Sequence, residues 1–226
     1  MADHPGIRVI GIIYLYAVRE RGKTRTLEAL ANLCYRPALT ETVNPAPLFR
    51  FASYLGGTLL VDTTGFWEAA ARKGADDFFL ARFEKGKEVH RVKRPDAPLF
   101  KDLEHYEVFG PTAIATNRPV PSVLESRCFP IRMPAAPGDY AWPIQTEGLE
   151  LRDRLLGWRA GNIQVELPTL PSTIWRGRFR DICVPLSYLI RLIGKEALEP
   201  QLNSLVDALK EMEQVRKEQD RDSLEG

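Results

Sequence analysis

The run Val9–Ala17 (VIGIIYLYA) constrains this chain more than any other segment. It is almost wholly apolar and rich in β-branched and aromatic residues, as a central strand buried on both faces must be. It is too short to cross a bilayer. The sequence then turns polar at Arg19, Glu20 and Arg21. From Lys23 a helical pattern begins, with Leu27, Leu30, Ala31 and Cys34 on one stripe. Pro37 marks the end of that unit. A strand covered on both faces and followed by an amphipathic helix calls for helices packed on a sheet.

Other segments extend the pattern. Thr58–Val61 (TLLV), ending in Asp62, and Thr112–Thr116 (TAIAT), ending in Asn117, read as further buried strands. Cys128–Met133 reads as a fourth, with Pro130 demoting part of it to an edge or bulge. Residues 67–83 have helical character, and a charged, hairpin-like segment follows at 84–94. This alternation predicts an α/β domain with a largely parallel sheet. Beyond Pro143, residues 149–158, 184–193 and 202–215 read as helices, and 218–226 as a polar tail that frays. The expected division is an α/β core at 1–140 and a helical part at 141–226.

The junction after the first strand carries the strongest chemical signal. Arg21-Gly22-Lys23-Thr24 lies between a buried strand and a helix, the context a Walker A phosphate loop requires. Amides at the helix start point toward the phosphates, and the helix dipole favours negative charge there. Lys23 can reach the β and γ phosphates, and the Thr24 hydroxyl can ligate magnesium. The full pattern has glycine five residues before Gly22, where this chain has Ala17. Glu20 adds an acid to a loop built for anions, and Arg19 and Arg21 offset it. The competing reading is an ordinary surface turn before a helix.

Leu59-Leu60-Val61-Asp62 has the form of a Walker B strand, whose terminal carboxylate can hold magnesium. Many ATPases place glutamate next; this chain has Thr63, which cannot accept a proton as a carboxylate does. Glu68, Asp76 and Asp77 follow, and spacing favours none of them as a substitute. Asn117 either contacts a γ-phosphate or its attacking water, or forms a turn before Pro119. Arg127 either reaches a neighbouring subunit's nucleotide or pairs with an acid. Lys85, Lys87, His90, Arg91, Lys93 and Arg94 read as a solvated hairpin, with contact to a nucleic-acid backbone as the alternative. No ligand cluster is visible around His90.

Bulk composition adds few constraints. Thirty-one basic and 30 acidic residues leave a net charge of +1, so bulk charge does not advertise nucleic-acid binding. Cys34, Cys128 and Cys183 form no CxxC pair, which argues against a cysteine zinc site or a disulfide framework. The expectation is reduced cysteines in a cytoplasmic protein without membrane association.

Taken in order, GKT at 22–24, LLVD at 59–62, FGPTAIATN at 109–117 and LESRCFPIRM at 124–133 resemble a known family. It is that of the helicase-like P-loop ATPases of bacterial genomes and mobile elements, relatives of the AAA+ class. LANLCYRP at 30–37 and APLFR at 46–50 resemble the segment between its two Walker motifs, and the likeness spans residues 12–193. The resemblance implies Gly22, Lys23 and Thr24 at ATP, and Thr24 and Asp62 at Mg2+. It further implies Asn117 as a polar sensor and Arg127 as an arginine finger acting on a neighbour's nucleotide. Arg178 or Arg180, before Pro185-Leu186, would be a second sensor in a helical lid. Implied partners are further copies of the chain, as a ring, and DNA or a replication or primase protein. Ala17 and Thr63 depart from the family pattern. The expected activity is therefore ATP binding with slow hydrolysis, in DNA replication or mobile-element maintenance. The alternatives are a non-catalytic nucleotide-binding or protein-interaction module derived from such an ATPase, and a scaffold that binds no nucleotide.

Overall fold

The computed structural model describes residues 2–92, 103–135, 138, 140–167, 177–193 and 199–225. Two compact units divide the chain, Met1–Gln164 and Val165–Gly226.

The first unit is organised by a five-stranded sheet. Its strands are β1 (Ile12–Tyr16), β2 (Pro37–Thr40), β3 (Thr58–Asp62), β6 (Thr112–Thr116) and β7 (Cys128–Arg132). Their order is β2-β3-β6-β1-β7, and every pairing is parallel. The chain leaves β1 through helix α1 (Lys23–Leu33), enters the far edge at β2 and returns through β3 and β6. It then crosses to β7 on the other side of β1. The connections on either side of β1 therefore run in opposite directions. In open α/β sheets, ligands bind at the strands' carboxyl ends at such a point.

Both faces of β1 are covered, as its unbroken apolar sequence requires. On one face Leu15, Leu27 of α1, Leu60, Ala113 and Ala115 form a buried cluster, with Ile13, Leu30, Ala31 and Met133 packed against it. On the other, Tyr14 meets Phe66, whose ring lies 4.7 Å from that of Phe79. Phe79 meets Phe78, which meets Phe49. Pro130 sits in the edge strand β7, where a missing N–H is tolerated.

The region between β2 and β6 is more divided than its sequence suggests. A short helix α2 (Pro45–Arg50) continues into a π-helical turn, Phe51–Leu55. The helical character of 67–83 is carried by two helices, α3 (Phe66–Lys73) and α4 (Asp76–Ala81). Gly74, at φ 65°, ends α3 in the left-handed conformation that glycine adopts without strain. An antiparallel ribbon of β4 (Glu88–Val92) and β5 (Leu103–Glu107) follows. The expected hairpin at 84–94 is thus the first arm of a longer one, and Lys93 and Arg94 lie outside the described residues. A short helix α5 (Ser122–Glu125) leads into β7.

Helix α6 (Gln145–Asn162) packs on α1 within the first unit. The guanidinium of Arg25 lies 4.4 Å from the Trp142 ring, and that of Arg159 lies 4.0 Å from the Tyr35 ring. In the second unit α7 (Gly177–Ile193) buries Phe179, Ile182 and Cys183, and α8 (Glu199–Glu225) buries Leu209. The segment expected to fray after residue 217 is helical through Glu225. Among the described residues no helix is long and apolar enough to cross a membrane.

Candidate functional site

The loop joining β1 to α1 lies at the carboxyl edge of the sheet, where β3 and β6 also end. Three features shape it. Gly22 caps α1 at φ 77°, a left-handed conformation that a Cβ would strain. No side chain caps the helix and no acid occupies its first turn, so the first-turn amides remain donors for an anion. Thr26 closes the first helical turn, its N–H and hydroxyl both donating to the Gly22 carbonyl. Glu20 also adopts positive φ, 61°, which is uncommon outside glycine.

Lys23 folds back over the loop. Its Nζ donates to the carbonyls of Ala17, at 3.0 Å, and Val18, at 2.7 Å. Ala17 is buried and its N–H continues the ladder to the Thr116 carbonyl, so the residue standing where the pattern has glycine is packed as strand. Next to Lys23, the Thr24 hydroxyl donates to Asp62 Oδ2 at 2.6 Å. Thr24 is exposed and Asp62 half-buried. Helix α1 and strand β3 thus deliver a hydroxyl and a carboxylate to one point from positions 38 residues apart. Both are hard oxygen donors of the kind Mg2+ selects.

Thr63 and Asn117 tie the neighbouring loops together. The Thr63 hydroxyl donates to the Glu41 carbonyl at 2.7 Å. Asn117 Oδ1 accepts the N–H of Gly65 at 3.0 Å, linking the end of β6 to the start of α3. Of the three acids following Thr63, Glu68 lies 3.4 Å from Arg118, beside Asn117. Asp77 is instead held by Arg91 of the ribbon at 2.8 Å. Asp76 opens α4.

Arg127 stands at the other edge of the sheet. Its carbonyl accepts the N–H of Ile12, where β1 begins, and its guanidinium donates to the Val123 carbonyl and lies 5.1 Å from the Phe83 ring. A five-residue strand, about 16 Å long, separates it from the β1–α1 loop of its own chain. Arg178 and Arg180 lie, exposed, in the first turn of α7 in the second unit.

Two groups are invisible to sequence reasoning. Arg82 is fully buried, donating from Nε to Thr112 Oγ1 at 2.8 Å. It also donates to the carbonyls of Val108, Gly57 and Pro111 at 2.7, 2.8 and 3.2 Å. Burial pushes its pKa down to about 9, so it stays charged at neutral pH. Gly110 packs against it, since a Cβ there would lie 2.9 Å from Nη2. The second group is Glu88, His90 and His105 on the ribbon, which pairing brings together although sequence places no ligand cluster around His90.

No family model matches this chain, and none of the curated proteins matches it.

Proposed function

We propose that the chain binds Mg2+-ATP at the loop 17–24 and hydrolyses it slowly, as a helicase-like P-loop ATPase related to the AAA+ class. The observation that carries this reading is the 2.6 Å hydrogen bond from Thr24 to Asp62 beside the first turn of α1. A hydroxyl and a carboxylate converging at an uncapped helix start suit a magnesium ion bound to a phosphate. Bound Mg2+ would neutralise charge on the phosphates. Thr24 and Asp62 would hold it, and Lys23 would exchange its two loop carbonyls for phosphate oxygens. Asn117 already uses its oxygen as acceptor, so its amide N–H groups are the end suited to a phosphate.

Thr63 supports slow turnover. Its hydroxyl is committed to a carbonyl, and it cannot act as a general base. The same observation favours one runner-up, a module of this descent that binds nucleotide without hydrolysing it. Arg127, too far from its own loop, would serve only a second copy of the chain. The resemblance gives Arg178 or Arg180 the role of a second sensor. A ring of such copies on DNA, or with a replication or primase protein, follows from the resemblance.

Calorimetry of ATP binding with and without Mg2+, on wild type and Lys23→Ala, tests the proposal. Wild type binds, and the variant loses at least about tenfold in affinity, or ~1.4 kcal/mol. Equal binding by the two proteins refutes the reading.

A further inference from the structure

The β4–β5 ribbon carries a second set of ligand-type side chains. Val89 and Tyr106 are paired and buried, so the alternate residues line the opposite, exposed face. Register sets His90 against His105 and Glu88 against Glu107 on that face. His105 Nδ1 lies 3.4 Å from Glu88 Oε2, and the two imidazole centroids are 4.4 Å apart. Ligand atoms from Glu88, His90 and His105 all lie within 4.8 Å of one another.

We propose that Glu88, His90 and His105 form a binding site for a divalent transition ion of the zinc class. A tetrahedral ion with bonds of about 2.0–2.1 Å holds its ligand atoms about 3.3 Å apart. The Glu88–His105 pair already has that spacing, and the exposed His90 side chain closes the remainder by a small rotation about its side-chain bonds. Two imidazoles and one carboxylate suit Zn2+, Co2+ or Cu2+ and not Mg2+, so this site differs in chemistry from the hard-oxygen pair Thr24 and Asp62.

The ion would have a mechanical consequence. A two-stranded ribbon is marginal by itself, and like charges facing each other across it, as Glu88 and Glu107 do, weaken it further. A cation ligated from both strands cross-links them and offsets that repulsion. Water would complete the coordination.

The experiment uses the full chain, freed of metal and titrated with Zn2+ against a chromophoric chelator, and with Co2+ followed by its visible absorption. The expected result is one ion per chain, with affinity at least ~10–100-fold weaker in His90→Ala and His105→Ala, since even indirect partners of a metal contribute that much. Zinc should also slow hydrogen exchange of the amides in 88–92 and 103–107. A measurement on unaltered protein guards against variants that misfold. Zinc should protect His90 and His105 from acylation while leaving the reactivity of His4, the chain's remaining histidine, unchanged. The proposal is overturned if no ion binds at micromolar zinc. It is equally overturned if the histidine variants bind as wild type does, or if Cys34→Ser removes the binding.

Discussion

The two edges of the central sheet each hold a basic side chain against backbone carbonyls, with opposite consequences. At the carboxyl edge, half-buried Lys23 donates to two loop carbonyls beside an exposed threonine. At the amino edge, Arg82 donates to three carbonyls and a hydroxyl in full burial. Water can replace both partners of the exposed bond to Val18, and the bond to Ala17 is only part-buried, so the bonds of Lys23 are exchangeable where those of Arg82 are not. Nothing can replace them at Arg82, because its acceptors would be left buried and unsatisfied. Similar local chemistry is thus exchangeable at one edge and cohesive at the other, and solvent access decides which.

The largest expected effect lies at the amino edge. Arg82→Met leaves several buried acceptors without donors, each costing about 1–3 kcal/mol, so urea unfolding should show a loss of roughly 3–5 kcal/mol. A loss under ~1 kcal/mol would mean that these carbonyls find other partners and that the contrast between the edges is false. Leu27→Ala follows at about 2–5 kcal/mol, because Leu27 is fully buried between α1 and the sheet. Lys23→Ala should lower the unfolding free energy little, by under about 1 kcal/mol, because water reaches its half-buried side chain. A large destabilisation would make Lys23 a structural residue like Arg82.

Smaller effects probe catalysis and assembly. Thr63→Glu should raise steady-state phosphate release about tenfold, a part of the ~10²–10⁴-fold that a positioned base contributes. Unchanged release would leave the carboxylate's absence irrelevant to rate. Arg127→Ala should weaken ATP-dependent self-association in sedimentation velocity and leave ATP-free behaviour unchanged. Monomers of wild type at every concentration with Mg2+-ATP would remove the ring from the account.

What the sequence made legible follows from burial. Strands β1, β3 and β6 are covered on both faces and read as continuous apolar runs, so their ends, at the β1–α1 loop, Asp62 and Asn117, were located with them. β2 begins with proline and is largely half-buried, and β5 (LEHYE) alternates exposed with more buried residues, so neither stands out. Arginine is rarely buried, so nothing along the chain marks Arg82, and only the convergence of two loops and the start of β6 on it does. The histidine pair was hidden because register, set across the hairpin, brings residues 90 and 105 together. Spacing along one strand links only Glu88 and His90. Thr24 and Asp62 were legible one by one, and their contact required the strand order.

That contact is the centre of the functional account, and the magnesium dependence of ATP affinity tests it most directly. Calorimetry should compare wild type with Asp62→Asn, each with and without Mg2+. Mg2+ should tighten ATP binding to wild type, and Asp62→Asn should lose most of that gain while binding metal-free ATP at least as well. An equal magnesium gain in both proteins would contradict it, because the ion would then be held without the carboxylate that meets Thr24.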